Sequence, residues 1–209
     1  MLTNYCKDQW GVVHQVEANK FVYNRDYVTN SYLPLQLQIQ QISHLRLGYI
    51  IGTLGKTPNK LLDVGFGTGD FLRAVAKLGT TTVGCDLYSD FLPENTAFVE
   101  HPTQGQYDVI TFFDSLEHFE TLNWIRDLDT KWVVISLPWC HYPHDDMWFE
   151  SWKHRKPDEH LHHFNHHSLQ SWMASQGYRC VNWCNVEDAI RTPVDNLPNI
   201  LTATFEKNS

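Results

Sequence analysis

Leu61-Leu62-Asp63-Val64-Gly65-Phe66-Gly67-Thr68-Gly69-Asp70 is the stretch that decides the fold. A short apolar strand, Lys60–Val64, runs into glycines spaced G-x-G-x-G. A helix is predicted over Thr68–Leu78, with Phe71, Leu72, Val75 and Ala76 on one side and Gly79 at its end. Such glycines let a ligand lie against bare backbone. A dinucleotide fingerprint wants a glycine where this chain has Asp70. A diphosphate also needs the positive end of a helix and exposed N–H groups. Here Asp63 and Asp70 bracket the loop, and acids there repel a diphosphate. They suit a ligand that carries an amino group and a sulfonium cation.

Strand and helix alternate outward from this loop. Thr81–Asp86 reads as a second strand, closed by Asp86, an acid able to take both hydroxyls of a ribose. Residues 87–96 are polar, contain Pro93 and leave room for a helical turn or two before a brief third strand at Ala97–Glu100. Tyr107–Phe113 is a continuous apolar run, as expected for a parallel strand buried on both faces. It ends in Asp114-Ser115-Leu116-Glu117-His118, and a helix is predicted over Glu117–Leu128. Lys131–Leu137 is a fifth strand, Ser168–Gln176 a helix closed by Gly177, and Tyr178–Val186 and Ile200–Phe205 are two last strands. The alternation predicts a doubly wound α/β sheet whose ligand sits outside the carboxyl ends of the strands. Residues 1–58 form an N-terminal extension. Tyr23, Tyr27 and Tyr32 recur at helical spacing there, and an amphipathic helix follows with Leu35, Ile39, Ile42, Leu45, Tyr49 and Ile50 inward. Gly52, Gly55 and Pro58 are expected to terminate it, so residues 1–58 read as a helical cap and 59–209 as the main domain.

Composition narrows the function classes. The chain has 209 residues, 42% hydrophobic and 19% charged, which suits one globular domain with an appendage. A formal charge of −8 argues against a nucleic-acid partner, since that affinity rests on Lys and Arg. No apolar run approaches the ~18 residues of a membrane helix, and the N-terminus shows no basic segment before an apolar core. Five widely spaced cysteines do not look like a disulfide framework and point to a reducing compartment, hence to the cytoplasm. Cys180 and Cys184 read as buried small hydrophobes rather than as a metal pair.

The glycine loop, Asp86 and the Asp114…Leu116-Glu117-His118 sequence together resemble class I S-adenosylmethionine-dependent methyltransferases of the small-molecule type. The resemblance covers roughly residues 59–206. It implies a Rossmann-like sheet of order 3-2-1-4-5-7-6 with strand 7 antiparallel, and S-adenosylmethionine as methyl donor. Carried over, Asp63, Gly65, Gly67 and Gly69 would shape the pocket for the methionine part. Asp86 would hold the ribose, Leu87 would pack on adenine, and Asp114 and Ser115 would lie beside the methionine portion under the donor methyl. The family often has an acidic or amide residue just after strand three; the corresponding positions here lie around Glu100 and His101.

Twelve histidines and eight tryptophans are both high counts, and eight of the histidines lie between His141 and His167. His144 with Asp145 or Asp146, plus His160 or His163, has ligand types that zinc or iron accepts, but no H-x-E-x-H or H-E-x-x-H spacing is present, and no metal is assigned. The resemblance implies instead a lid over the acceptor pocket, running from the end of strand five into the helix at Ser168. Trp139 and Tyr142 would supply apolar area there, and Tyr23 and Tyr27 would pack over the same opening. An acceptor bearing a proton needs a general base, for which His141, His144 and His160 are the candidates. His118 reads equally as structural or chemical. The rivals are a non-catalytic binding protein that keeps the fold, and a NAD-linked oxidoreductase, which the glycine spacing and Asp63 count against.

Overall fold

A computed structural model of the chain describes residues 3–193 and 196–208. Met1, Leu2 and Ser209, at the outer bounds of the two expected segments, lie outside the described residues. In chain order the elements are β1 (Tyr5–Lys7), β2 (Val13–Gln15), α1 (Arg25–Ser31), α2 (Gln36–Leu54), β3 (Lys60–Val64), α3 (Asp70–Ala76), β4 (Thr81–Cys85), β5 (Ala97–Phe98), β6 (Gln106–Phe113), β7 (Asp129–Pro138), α4 (Asp146–Ser151), β8 (His162–His163), α5 (His166–Ser175), β9 (Tyr178–Cys184), α6 (Asp188–Arg191) and β10 (Ile200–Lys207).

Seven strands form one sheet in the order β5-β4-β3-β6-β7-β10-β9. β3, β4, β5, β6 and β7 run parallel, and β10 is antiparallel to both of its neighbours, β7 and β9. This is the expected order 3-2-1-4-5-7-6 with strand 7 reversed. Register brings the strand ends level: Val64 pairs with Cys85 and Phe112, and Phe113 pairs with Ser136. The chain therefore leaves β3, β4 and β6 at one edge, where Gly65, Asp86 and Asp114 follow.

Side chains of a strand alternate between faces, so adjacent residues of β3 feed different layers. Leu61 joins Val109 and Val134 against Leu47 and Ile50 of α2 and Phe71, Leu72 and Val75 of α3. Leu62 and Val64 join Ile110, Phe112, Val133 and Ile135 against Leu169, Trp172 and Met173 of α5. α2 runs on through Gly52, where nothing crowds an added Cβ, and stops at Gly55, whose φ of +69° supplies the left-handed cap.

Two expectations need correction. The helix predicted over Glu117–Leu128 is replaced by two 3₁₀ turns, Leu116–His118 and Asn123–Asp127, joined through extended Phe119. A twelve-residue α-helix spans only about 18 Å, whereas the ten residues of β7 need a return of about 33 Å. The two short turns together with the non-helical residues 119–122 between them reach further per residue than a continuous α-helix, and still bury Leu116, Leu122, Ile125 and Leu128. The N-terminal segment is also not wholly helical. β1 and β2 form a hairpin, Tyr5 opposite Gln15, and β8 adds a third strand through Val13–His163 and His14–His162. This small sheet has its own core of Tyr5, Val13, Cys140 and Phe149, flanked by Trp148 and Trp152. The β1–β2 hairpin thus clamps the His-rich stretch.

Candidate active site

The three loop glycines are held for different reasons. All have left-handed φ, +75° at Gly65, +54° at Gly67 and +75° at Gly69. A Cβ on Gly65 would stand 2.5 Å from Cβ of Ser115, and one on Gly69 would stand 2.7 Å from the Phe91 carbonyl oxygen. Those two glycines answer to the protein itself. A Cβ on Gly67 would meet nothing within 4 Å. Its N–H donates to Asp86 Oδ2 at 2.9 Å, and the Leu87 N–H donates to Asp86 Oδ1 at 2.7 Å. The second-strand acid is therefore oriented by backbone beside open space. Burial pushes its carboxyl up, against the pull of those N–H groups. Leu87 itself is 76% exposed.

The acids that bracket the loop are engaged. Asp63 is buried, accepts from Thr111 Oγ at 2.7 Å, and burial raises its carboxyl to about 7 despite Thr111 and nearby Arg46. Asp70 accepts twice from Gln36 Nε2 at 2.9 Å and once from Thr68 Oγ at 2.7 Å, tying the start of α2 to the start of α3. Ser115 donates to the Val64 carbonyl at 2.6 Å, which pins the end of β6 to the end of β3.

Asp114, with a left-handed φ of +55°, lies in a four-charge network. It accepts from Arg46 Nη2 at 2.7 Å and from Arg191 Nη1 and Nη2 at 2.7 and 2.5 Å. Fully buried Glu187 takes the other side of both cations, at 2.7 Å from Arg46 Nε and 3.2 Å from Arg191 Nε. These guanidinium groups hold the Asp114 carboxyl far below its usual range. Sequence reasoning missed Arg46 and Arg191. For Arg46 a signal existed, since it is the sole Asp, Glu, Lys or Arg in the nineteen residues of α2.

The cap tyrosines face these strand ends. Tyr23 packs 5.1 Å from Tyr27, and Tyr27 packs 5.9 Å from Tyr32, ring to ring. Tyr27 donates to Glu159 Oε1 at 2.9 Å. Tyr23 feels the charge of Asp86 and Tyr32 that of Asp114, while burial raises all three phenols. Tyr32 was not among the expected site residues.

The expected base candidates are dispersed. His144 is exposed and lies 3.0 Å from Lys7 Nζ. His141 stacks on Trp139 at 4.8 Å, and its Nε2 donates to the Pro198 carbonyl at 2.6 Å. Exposed Tyr142 packs edge-on against Trp148 at 5.3 Å. His160 is the one that turns inward. Its ring is 5% exposed and meets that of His118 edge-on at 4.8 Å. Glu117, 2% exposed, completes the group: one ligating atom from each of Glu117, His118 and His160 lies within 4.8 Å of the other two. Neither carboxylate oxygen of Glu117 has a hydrogen-bond partner. Burial, with the nearby Asp114 charge, raises that carboxyl to about 8, and burial lowers both imidazoles, His160 to about 2. The strand after the lid closes the group, with the Leu161 N–H donating to the Glu117 carbonyl at 2.8 Å.

Comparison with known proteins places this architecture. The chain is 34% identical to the ubiquinone biosynthesis O-methyltransferase of Escherichia coli O139:H28 (strain E24377A / ETEC) over 103 residues, 38% of this chain and 41% of that protein. It thus spans about two fifths of the length of the curated relatives it matches. Its fold is similar to that of magnesium protoporphyrin IX methyltransferase from Synechocystis PCC 6803, with a TM-score of 0.60 and 12% identity over 91% of this chain and 90% of that one. It is also similar to 1,6-didemethyltoxoflavin-N1-methyltransferase from Burkholderia thailandensis, with a TM-score of 0.59 and 13% identity over 99% and 100%. The family model described as a methyltransferase domain matches residues 39–182, more than half of the sequence, from the first turn of α2 into β9 and through every strand-end residue of the site. With a sheet order and glycine loop of the same kind, the chain belongs to the methyltransferase-domain family.

Proposed function

We propose that the protein transfers the methyl group of S-adenosylmethionine to a small-molecule acceptor. The observation that carries this reading is the open space over Gly67 beside the backbone-oriented carboxylate of Asp86. Two of the three loop glycines are required by protein neighbours, and this one is not. A ligand that presents ribose hydroxyls to Asp86 and lies against Gly67 fits that cradle, and family membership supports the same donor. The two solved neighbours named above were crystallised with S-adenosylhomocysteine.

When bound, the donor supplies an electrophilic methyl on a positively charged sulfur. The chain's own part is to orient and to exclude water. Asp86 would accept from the ribose with the lone pairs that the backbone donors of Gly67, Leu87 and Tyr88 leave free. Arg46 and Arg191, balanced against Asp114 and Glu187, would set the charge at the methionine end of the cradle, and Asp63 and Ser115 would shape it. Tyr23, Tyr27 and Tyr32 close the opening, with Trp139 as an outer wall. Of the three expected bases only His160 turns inward, to Glu117 and His118, and with its imidazole lowered by burial to about 2 it would line the acceptor side as a neutral group rather than take a proton, while His141 and His144 face Pro198 and Lys7.

A small acceptor suits an acidic protein better than a nucleic acid does. No helix among the described residues is long and apolar enough to cross a membrane. Cytoplasmic placement belongs to the same proposal, resting on five free cysteines.

Calorimetric titration with S-adenosylhomocysteine, S-adenosylmethionine and NAD tests the reading. One site for each sulfur ligand and no heat with NAD is the expected result. Binding of NAD with no heat from either sulfur ligand would overturn it in favour of an oxidoreductase.

A further inference from the structure

Both histidines beside Glu117 are fixed in the same sense. His118 Nδ1 lies 2.7 Å from the Glu159 carbonyl oxygen, and His160 Nδ1 lies 2.8 Å from that of His154. A carbonyl only accepts, so each Nδ1 carries the proton and each Nε2 is left with a lone pair. A backbone acceptor behind the ring is the arrangement that orients metal-ligating histidines and sets their tautomer. The third member is a carboxylate buried to 2% exposure with no hydrogen-bond partner on either oxygen. An unpartnered buried acceptor pair is costly unless something occupies the space it faces.

We propose that Glu117, His118 and His160 hold one divalent transition-metal ion, whose remaining coordination positions go to water or to an oxygen of the acceptor. Two imidazoles and one carboxylate favour zinc, cobalt, iron or nickel over magnesium and calcium, which take oxygen ligands. The ligand atoms stand up to 4.8 Å apart. Tetrahedral bonds of about 2.1 Å would set them about 3.4 Å apart, so binding draws the side chains together. Arg191 and Lys156 are the cations whose charge reaches Glu117; Arg191 is paired with Asp114 and Glu187 and Lys156 with Glu159 at 2.8 Å, so neither charge bars a second cation. The role of an acceptor oxygen rests on the methyl-transfer reading; ion binding does not.

Zinc(II) alone is titrated by calorimetry into the full chain without donor, and cobalt(II) is followed by its visible absorption. One ion per chain is expected, with the intense visible bands of cobalt in a low-symmetry nitrogen–oxygen site. Glu117→Gln keeps the side-chain shape, and His160→Asn keeps a polar group on the lid. Each should weaken zinc binding at least tenfold, while circular dichroism and S-adenosylhomocysteine affinity stay at parent values. His144→Ala and His167→Ala, at surface histidines away from the group, should leave zinc binding unchanged. No saturable zinc binding, or binding lost with the surface variants and kept in Glu117→Gln, overturns the proposal. Zinc binding that depends on Glu117 in a protein that takes up no S-adenosylhomocysteine would strike the methyl-transfer reading and uphold this one.

Discussion

Gly67→Ala separates the space reserved for a ligand from the space the protein needs for itself. At φ +54° an added Cβ meets no atom within 4 Å. The folded state therefore loses only the left-handed backbone penalty, about 1–2 kcal/mol. For a domain of this size that lowers the melting temperature by about 2–8 °C. Gly69→Ala is the control. Its φ is +75°, and its Cβ would stand 2.7 Å from the Phe91 carbonyl oxygen and 2.9 Å from Pro93 Cδ. Overpacking against backbone adds about 1–3 kcal/mol to the same penalty, so Gly69→Ala should be clearly the less stable variant. Affinity should run the other way. The methyl of Gly67→Ala projects into the proposed cofactor cradle, where a contact of the same 1–3 kcal/mol weakens S-adenosylhomocysteine binding about 5- to 150-fold. Thermal melts and calorimetry on both variants read the two quantities. Gly67→Ala that stays folded and binds S-adenosylhomocysteine within twofold of the parent would refute the assignment of that space.

Two further predictions concern the clamp around the lid. His163 is 3% exposed, its Nε2 has no partner, and burial lowers its imidazole to about 3. The folded state keeps it neutral while the unfolded chain takes up a proton below pH 6.5, so its contribution is complete above pH 6.5 and is lost as pH falls toward 3. His163→Leu should flatten the acid limb of urea stability by about 1.4 kcal/mol per pH unit in that window, and an unchanged slope would rule the effect out. Phe149 lies edge-on to Tyr5 at 5.1 Å and to His163 at 5.0 Å. Phe149→Ala should remove about 3–5 kcal/mol from the small core and speed amide exchange in β1, β2 and β8 together; exchange confined to α4 would show that hairpin and lid do not share it.

How far the sequence could be read varies from element to element. β3 is apolar, β-prone and stopped by glycines, and the fold uses the five residues the pattern marks, Lys60–Val64. The run Tyr107–Phe113 became β6 with one residue added at its exposed start, because from Val109 onward the strand is buried on both faces. Glu117–Leu128 misled, since Phe119, Leu122, Ile125 and Leu128 recur at helical spacing while the crossover must cover more length than an α-helix provides. The hairpin at residues 5–15 offered no alternating pattern. Its second strand pairs on its outer side with β8, about 150 residues further along the chain.

For the site, the sequence by itself determined the residues that follow strands: the glycine loop, Asp86 and Asp114 stand where their strands end, and the parallel register brings them to one edge. Strand ends are local features, and a parallel sheet aligns them without further information. Only the tertiary structure decided how they are used. It matched Asp114 with Arg46 from α2 and Arg191 from α6, gave Asp70 to Gln36, and of the three loop glycines left only Gly67 open. It also chose among the lid histidines, turning His160 inward to Glu117 and His118 while His144 faces Lys7. Those choices depend on charge desolvation and on hydrogen bonds between distant segments, such as the one from Leu161 to Glu117. Side-chain periodicity records which face of an element is apolar; it carries no record of which buried charge will find its partner.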